Sequence, residues 1–246
     1  MRFLTGLAGL IAVAGLAMAQ AKVSKKEADA YNSVLAAPSP DVQIEAADKF
    51  VTTFADSQLK SVVLFVAANA AERKGDIPKA LVYAQSAIDA DPKNFQAMIL
   101  VAGELARGTR ENDLDKEEKL ARSEKLANDA IATVKTAAKP NPALTDDQWA
   151  GYKKDFVAQA HEDLAMIATV RKKYADAITE FTMAVDSPTP NPSTYVRMAT
   201  VYDQAGKPDD SLAVLAKVLA MPNLDPMIKR VAEREQAIAQ KLKAGK

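Results

Sequence analysis

The chain contains no cysteine, which excludes a disulfide framework, a thiolate metal site and a cysteine for lipid attachment. It has one histidine, His161, and one tryptophan, Trp149, so a histidine-based metal site would be incomplete. Charge of either sign is not in excess, with 32 basic and 32 acidic side chains, and the basic stripe expected of a nucleic-acid binder is missing. Glycine is scarce at 9 residues and aromatics make up 6%, while 48% of the 246 residues are apolar. A core filled by Ala, Leu and Val favours closely packed helices. No calcium-loop spacing, Gly-rich phosphate cradle or Gly-x-Ser-x-Gly elbow occurs. No catalytic residue, cofactor or metal is therefore assigned.

One apolar run is present, from Phe3 to Ala17, preceded by Arg2 and followed by Ala17-Met18-Ala19. That three-part anatomy is that of a secretory signal peptide over 1–19, with a mature chain starting at Gln20. The run is shorter than the ~20 residues that span a bilayer. An uncleaved membrane anchor is the alternative, and Lys22, Lys25 and Lys26 place more positive charge after the run than Arg2 places before it, against the usual orientation rule. Cleavage is expected, with no stable membrane span afterwards and an exported product, periplasmic or secreted.

The remaining sequence carries a 34-residue period, the signature of stacked helix-turn-helix units. Counting Ser61 as the first place, Leu64, Ala68, Ala80, Ala87 and Pro92 fall at places 4, 8, 20, 27 and 32. Restarting at Ala158 puts His161, Leu164, Ala165, Ala177, Phe181 and Ala184 at places 4, 7, 8, 20, 24 and 27. Adding 34 reaches Pro192, and the same places hold Tyr195, Met198, Ala199, Ser211, Leu215 and Val218. Small residues at places 8, 20 and 27 let two helix axes approach within ~8 to 10 Å.

This pattern resembles the tetratricopeptide repeat (TPR) family. The resemblance implies an all-α fold, a right-handed superhelical solenoid of helix-turn-helix repeats. An N-terminal TPR-like lobe over 20–137 would hold a degenerate repeat at about 27–60, a repeat at 61–94, and a repeat with an insertion at 95–137. In the degenerate repeat, counted from Glu27, Ala46, Phe50 and Thr53 fit the frame. In the inserted repeat the second helix is displaced to about 116–137, with Ser123, Ala127 and Ala130 as its contact row. Residues 138–157 form a Pro-rich break and the start of a bridging helix. A C-terminal TPR lobe over 158–246 would contain repeats 158–191 and 192–225 and a capping helix, 226–242. The charged face of that helix, with Lys229, Arg230, Glu233 and Glu235, suits a solvent-facing cap.

The polar candidates have structural readings beside functional ones. His161 takes the fourth place of a repeat, where a large residue packs between helices, and Trp149 either anchors a partner or closes a gap between the lobes. Asp146, Asp147, Asp209 and Asp210 sit in first turns, where they complement the helix dipole.

The resemblance implies a concave groove lined by the first helix of each repeat. Its candidate partner-binding residues are Phe65, Asn69, Ile99, Leu100, Met166 and Arg197. Phe65, Ile99 and Leu100 would make an apolar floor for an amphipathic or extended peptide. The alternative is that the N-terminal helices fold into the groove and bury them. The family's carboxylate clamp finds only Asn69 in place and is not carried over. The expected function is that of an exported scaffold or adaptor, not an enzyme, which binds a segment of another cell-envelope protein. A self-assembling repeat protein is the first alternative and a cofactor-independent enzyme the second.

Overall fold

A computed structural model describes residues 23–245. The signal peptide and the expected start at Gln20 lie outside them. Among the described residues every regular element is a helix: α1 (Lys25–Leu35), α2 (Pro40–Thr53), α3 (Lys60–Lys74), α4 (Ile77–Ala90), α5 (Phe95–Gly108), α6 (Lys116–Thr136), α7 (Asp146–Val170), α8 (Tyr174–Ala184), α9 (Pro192–Gln204), α10 (Pro208–Leu219) and α11 (Pro226–Ala244).

Short polar side chains and prolines start these helices. Asp76 caps α4 by accepting from the Lys79 amide at 3.2 Å, with Pro78 in the first turn. Asn94 Oδ1 accepts from the Ala97 amide at 3.0 Å at the start of α5. At α7, Thr145 Oγ1 accepts from the Gln148 amide at 3.1 Å while Gln148 Oε1 accepts from the Thr145 amide at 2.9 Å. The α7 pair is a capping box, and each of these caps satisfies amides that the first turn leaves open. Asn191 and Asp225 cap α9 and α11, each followed by a proline that needs no amide partner.

The chain forms two compact units, residues 23–104 with 128–153, and residues 105–127 with 154–245. The division falls inside α5, α6 and α7, and its last point, between 153 and 154, lies within the segment 138–157. In the first unit α3 packs against α2 and α4, and α1 packs on α2 and touches α3. Nine residues of α3 are buried, from Ser61 through Ala71, as in a helix surrounded by neighbours. Ser61 ties the repeat 61–94 together: its hydroxyl donates to the Ala87 carbonyl at 2.7 Å and accepts from Asn94 Nδ2 at 2.9 Å.

In the second unit α9 packs against α8, α10 and α11, and α10 packs against α11. One core there joins Leu120, Ile167, Phe181, Val201, Leu215 and Val218. The small-residue rows are buried in both units: Ala68, Ala80 and Ala87 in the first, Ala165, Ala177, Ala184, Ala199 and Ser211 in the second. Ser123, Ala127 and Ala130 of α6 are buried as well.

The degenerate first repeat departs from its frame. Thr53 is exposed and Ala46 only half-buried, and the buried face of α2 is Gln43, Ile44, Ala47 and Phe50. Phe50 keeps its place because its ring also meets Phe54, with centroids 5.1 Å apart. The cap of the last helix departs too. Glu235 is buried, on the same face as Ala232 and Ala239, because spacings of three and four residues bring these positions onto one stripe.

Candidate functional site

The six candidate groove residues divide between the two units, with Phe65, Asn69, Ile99 and Leu100 in the first and Met166 and Arg197 in the second. In the first unit the apolar floor is closed: Phe65, Ile99 and Leu100 are 6%, 9% and 8% exposed. Their burial has a local cause, since they lie on helices that are apolar around most of their circumference and have neighbours on several sides. Around α3, which carries Phe65, the N-terminal helices contribute, because α1 and α2 both reach it and Tyr31 and Val34 of α1 are fully buried. Asn69 is half-buried and donates from Nδ2 to the Phe65 carbonyl at 3.1 Å, one turn back on its own helix. Arg73, at the far end of α3, bonds to Gln43 Oε1 of α2.

The second unit is different in chemistry. Met166 is buried in the core, but Arg197 keeps its side chain 41% exposed and pairs through Nη1 with Glu162 Oε1. The other oxygen of Glu162 accepts from Thr194 Oγ1 at 2.8 Å. One turn along α9, Thr200 Oγ1 lies between two acceptors for its one proton, the Val196 carbonyl at 3.2 Å and Glu235 Oε2 of α11 at 3.3 Å, and Arg234 lies 3.9 Å from the other Glu235 oxygen. A row of charged and hydroxyl groups therefore runs across the first helices of successive repeats, from α7 through α9 to α11. Of the six candidates, only Arg197 belongs to this row. Glu162, Thr200, Glu235 and Arg234 complete it.

Electrostatics are uneven along the row. Burial pushes the Asp203 carboxyl up, the nearby Glu235 carboxylate adds to the rise, and the Ser211 hydroxyl acts the other way. Ser211 lies near enough to favour the charged form without aligning as a hydrogen bond, and both Asp203 oxygens and the Ser211 hydroxyl are sealed from solvent.

The other singled-out residues are built into helix contacts. His161 Nδ1 lies 2.7 Å from Glu180 Oε2, tying α7 to α8. Arg171 bridges α7 to α6, donating from Nε to Glu117 at 3.1 Å and from Nη1 to Glu124 at 2.7 Å. Trp149 is buried and donates from Nε1 to the Ala137 carbonyl at 3.3 Å, while the Lys153 ammonium sits 5.5 Å from its ring centre. These contacts use Trp149 to close the 138–148 connection against α6 and leave little of it to meet a partner. Among the described residues there is no group of three His, Asp or Glu placed to hold a metal ion, and no helix long and apolar enough to cross a membrane.

Sequence reasoning missed one surface feature. Met227, Val231, Ile238 and Leu242 of α11 are 65%, 43%, 38% and 44% exposed. Their spacings of four, seven and four residues mark a helical stripe, but the charged residues between them masked it.

No protein-family model matches the chain, and no curated protein is detectably similar to it in sequence. Solved structures do match. A thermophilic TPR protein of Thermus thermophilus is 15% identical, with a TM-score of 0.58, covering 80% of this chain and 91% of that one. An assembly chaperone of RpL4 is 11% identical over 90% of this chain and 98% of that one, with a TM-score of 0.45. A tetratricopeptide repeat protein of Parabacteroides merdae is 16% identical over 89% and 90% of the two chains, with a TM-score of 0.38. The first of these likenesses shows that the chain has the TPR fold.

Proposed function

We propose that this protein is a scaffold or adaptor that binds a segment of another protein, and that it does so in the cell envelope. The observation that carries the reading is the continuous row from Glu162 and Arg197 to Thr200, Glu235 and Arg234. Stacked repeats present such rows on rigid helices, and rigid presentation lowers the entropy lost when a flexible segment is captured. The TPR fold supports the general role. The envelope location rests on Arg2, the apolar run to Ala17 and the Ala17-Met18-Ala19 site, with no cysteine to hold a lipid.

A photo-crosslinking residue placed at Thr200 or Arg197, in chains expressed in their native cells, tests the binding role. Adducts to one other envelope protein are expected. Adducts only to further copies of this chain would replace the scaffold by a self-assembling protein, and no adduct at either position would reject the reading.

A further inference from the structure

The last helix bears an unpartnered apolar stripe with a charged edge of one sign. Met227, Val231, Ile238 and Leu242 are exposed, and they span about 22 Å at the 1.5 Å rise of an α-helix. Beside them runs a basic row in the same rhythm: Arg230, Arg234 and Lys241 each follow an apolar member of the stripe by three residues. The acid of this helix that is exposed, Glu233, lies on the far side and pairs with Lys229 at 3.9 Å. Arg230 and Lys241 have no ion-pair partner among the described residues, and Arg234 reaches only the edge of Glu235. The opposite edge of the stripe leads into the buried face at Ile228, Ala232 and Glu235.

We infer that this stripe is a docking surface for an amphipathic helix of another protein, about four turns long, with an apolar face bordered by acidic residues. The inference rests on the reading of the chain as a protein-binding scaffold and assigns that role to α11. Four apolar side chains at these spacings fit the ridge of a facing helix. The one-signed basic edge then selects the partner's flank through charge complementarity. An antiparallel pair of α11 helices from two copies is disfavoured, because the two-fold axis would set one basic row against the other.

The test uses the full chain and two labelled helical peptides of about four turns, identical in their Leu stripe and flanked by Glu in one and by Lys in the other. Fluorescence anisotropy should show the Glu-flanked peptide bound about tenfold more tightly. Ile238→Glu should abolish this binding with an unchanged melting temperature, since the residue is exposed. Arg230→Glu combined with Arg234→Glu should reverse the preference between the peptides. Equal affinities, or insensitivity to Ile238→Glu, would overturn the proposal. So would a concentration-dependent dimer dispersed by Ile238→Glu, which would make a second copy the occupant. Binding to phosphatidylglycerol vesicles that Ile238→Glu removes, without peptide capture, would assign the stripe to a membrane surface and equally overturn it. Crosslinks from Thr200 to a partner that persist in Ile238→Glu would leave the scaffold reading standing while this one falls.

Discussion

Lys172 and Gly206, thirty-four residues apart, occupy the same left-handed backbone conformation, with φ of 59° and 72°. Gly75 takes the equivalent place in the first unit, at 77°. All three close their helix in the same way. The amide of the left-handed residue donates three residues back, to Glu72, Thr169 and Asp203. The next amide donates five residues back, to Ala71, Ala168 and Tyr202. This is the Schellman ending, which satisfies the last carbonyls of a helix and requires positive φ at one residue. Two repeats meet the requirement with glycine, and the third bears a lysine whose Cβ is crowded there.

Lys172→Gly is therefore expected to raise the melting temperature, read by far-UV circular dichroism. The ammonium pairs with Glu111, but both side chains are 58% exposed, and such surface pairs contribute little. Gly75→Ala and Gly206→Ala should each destabilise by about 1 kcal/mol through backbone strain alone, because no atom lies within 4 Å of the added Cβ. A neutral result at all three positions would mean that the turns relax without the left-handed residue.

The small-residue rows give a second test. Ala80, Ala177 and Ala199 are fully buried at helix contacts, so replacing each by Leu should destabilise by about 1 to 3 kcal/mol through overpacking. Ala216→Leu, at an exposed place of α10, should be nearly neutral. Denaturant melts that fail to separate the buried group from Ala216→Leu would show that the helices can move apart without loss.

The repeat frame was legible wherever a constraint acts on residue size. Places 8, 20 and 27 need small side chains because two axes meet there, and this need survives in sequence as Ala68, Ala80 and Ala87 or Ala165, Ala177 and Ala184. Exposure was less legible, because it depends on what covers a face. Phe65, Ile99 and Leu100 stand at places that a regular array leaves open, yet all three are buried, Phe65 on a helix that α1 and α2 pack around. Glu235 shows the converse: a charged residue reads as solvated, but its spacing from Ala232 and Ala239 places it on the buried face, where Thr200 reaches it.

Asp203 should make stability depend on pH. Its carboxyl is raised by burial first and by the Glu235 carboxylate next, with Ser211 opposing, and Thr200 and Arg234 also meet Glu235. The folded state thus holds its proton to higher pH than the unfolded chain does, where Asp titrates near about 4. Its stabilising contribution is complete below that value and is lost as pH rises through the raised folded value, with no further change above it. Asp203→Asn should flatten this fall and stabilise the chain at neutral pH, because it removes the charge that burial disfavours. An unchanged pH profile in urea titrations of the variant would remove Asp203 as its source.

The last prediction separates packing from recognition. As an exposed floor, Phe65 and Leu100 would tolerate truncation with stability intact, but at 6% and 8% exposure they are core residues. Phe65→Ala should cost about 3 to 5 kcal/mol and Leu100→Ala about 2 to 5 kcal/mol, through lost burial and the cavities left behind. Arg197→Glu behaves differently, because the side chain is 41% exposed and faces Glu162. It sets a second carboxylate against Glu162, whose own side chain is only 14% exposed, so stability should fall, by less than in the two core truncations because the new side chain can turn to solvent, while crosslinking from Thr200 to a partner is weakened. The comparison of melting temperatures with crosslink yield decides the matter. A stable Phe65→Ala chain with lost capture would reopen the apolar floor as a binding surface, whereas unchanged capture in Arg197→Glu would take the Glu162 to Arg234 row out of recognition.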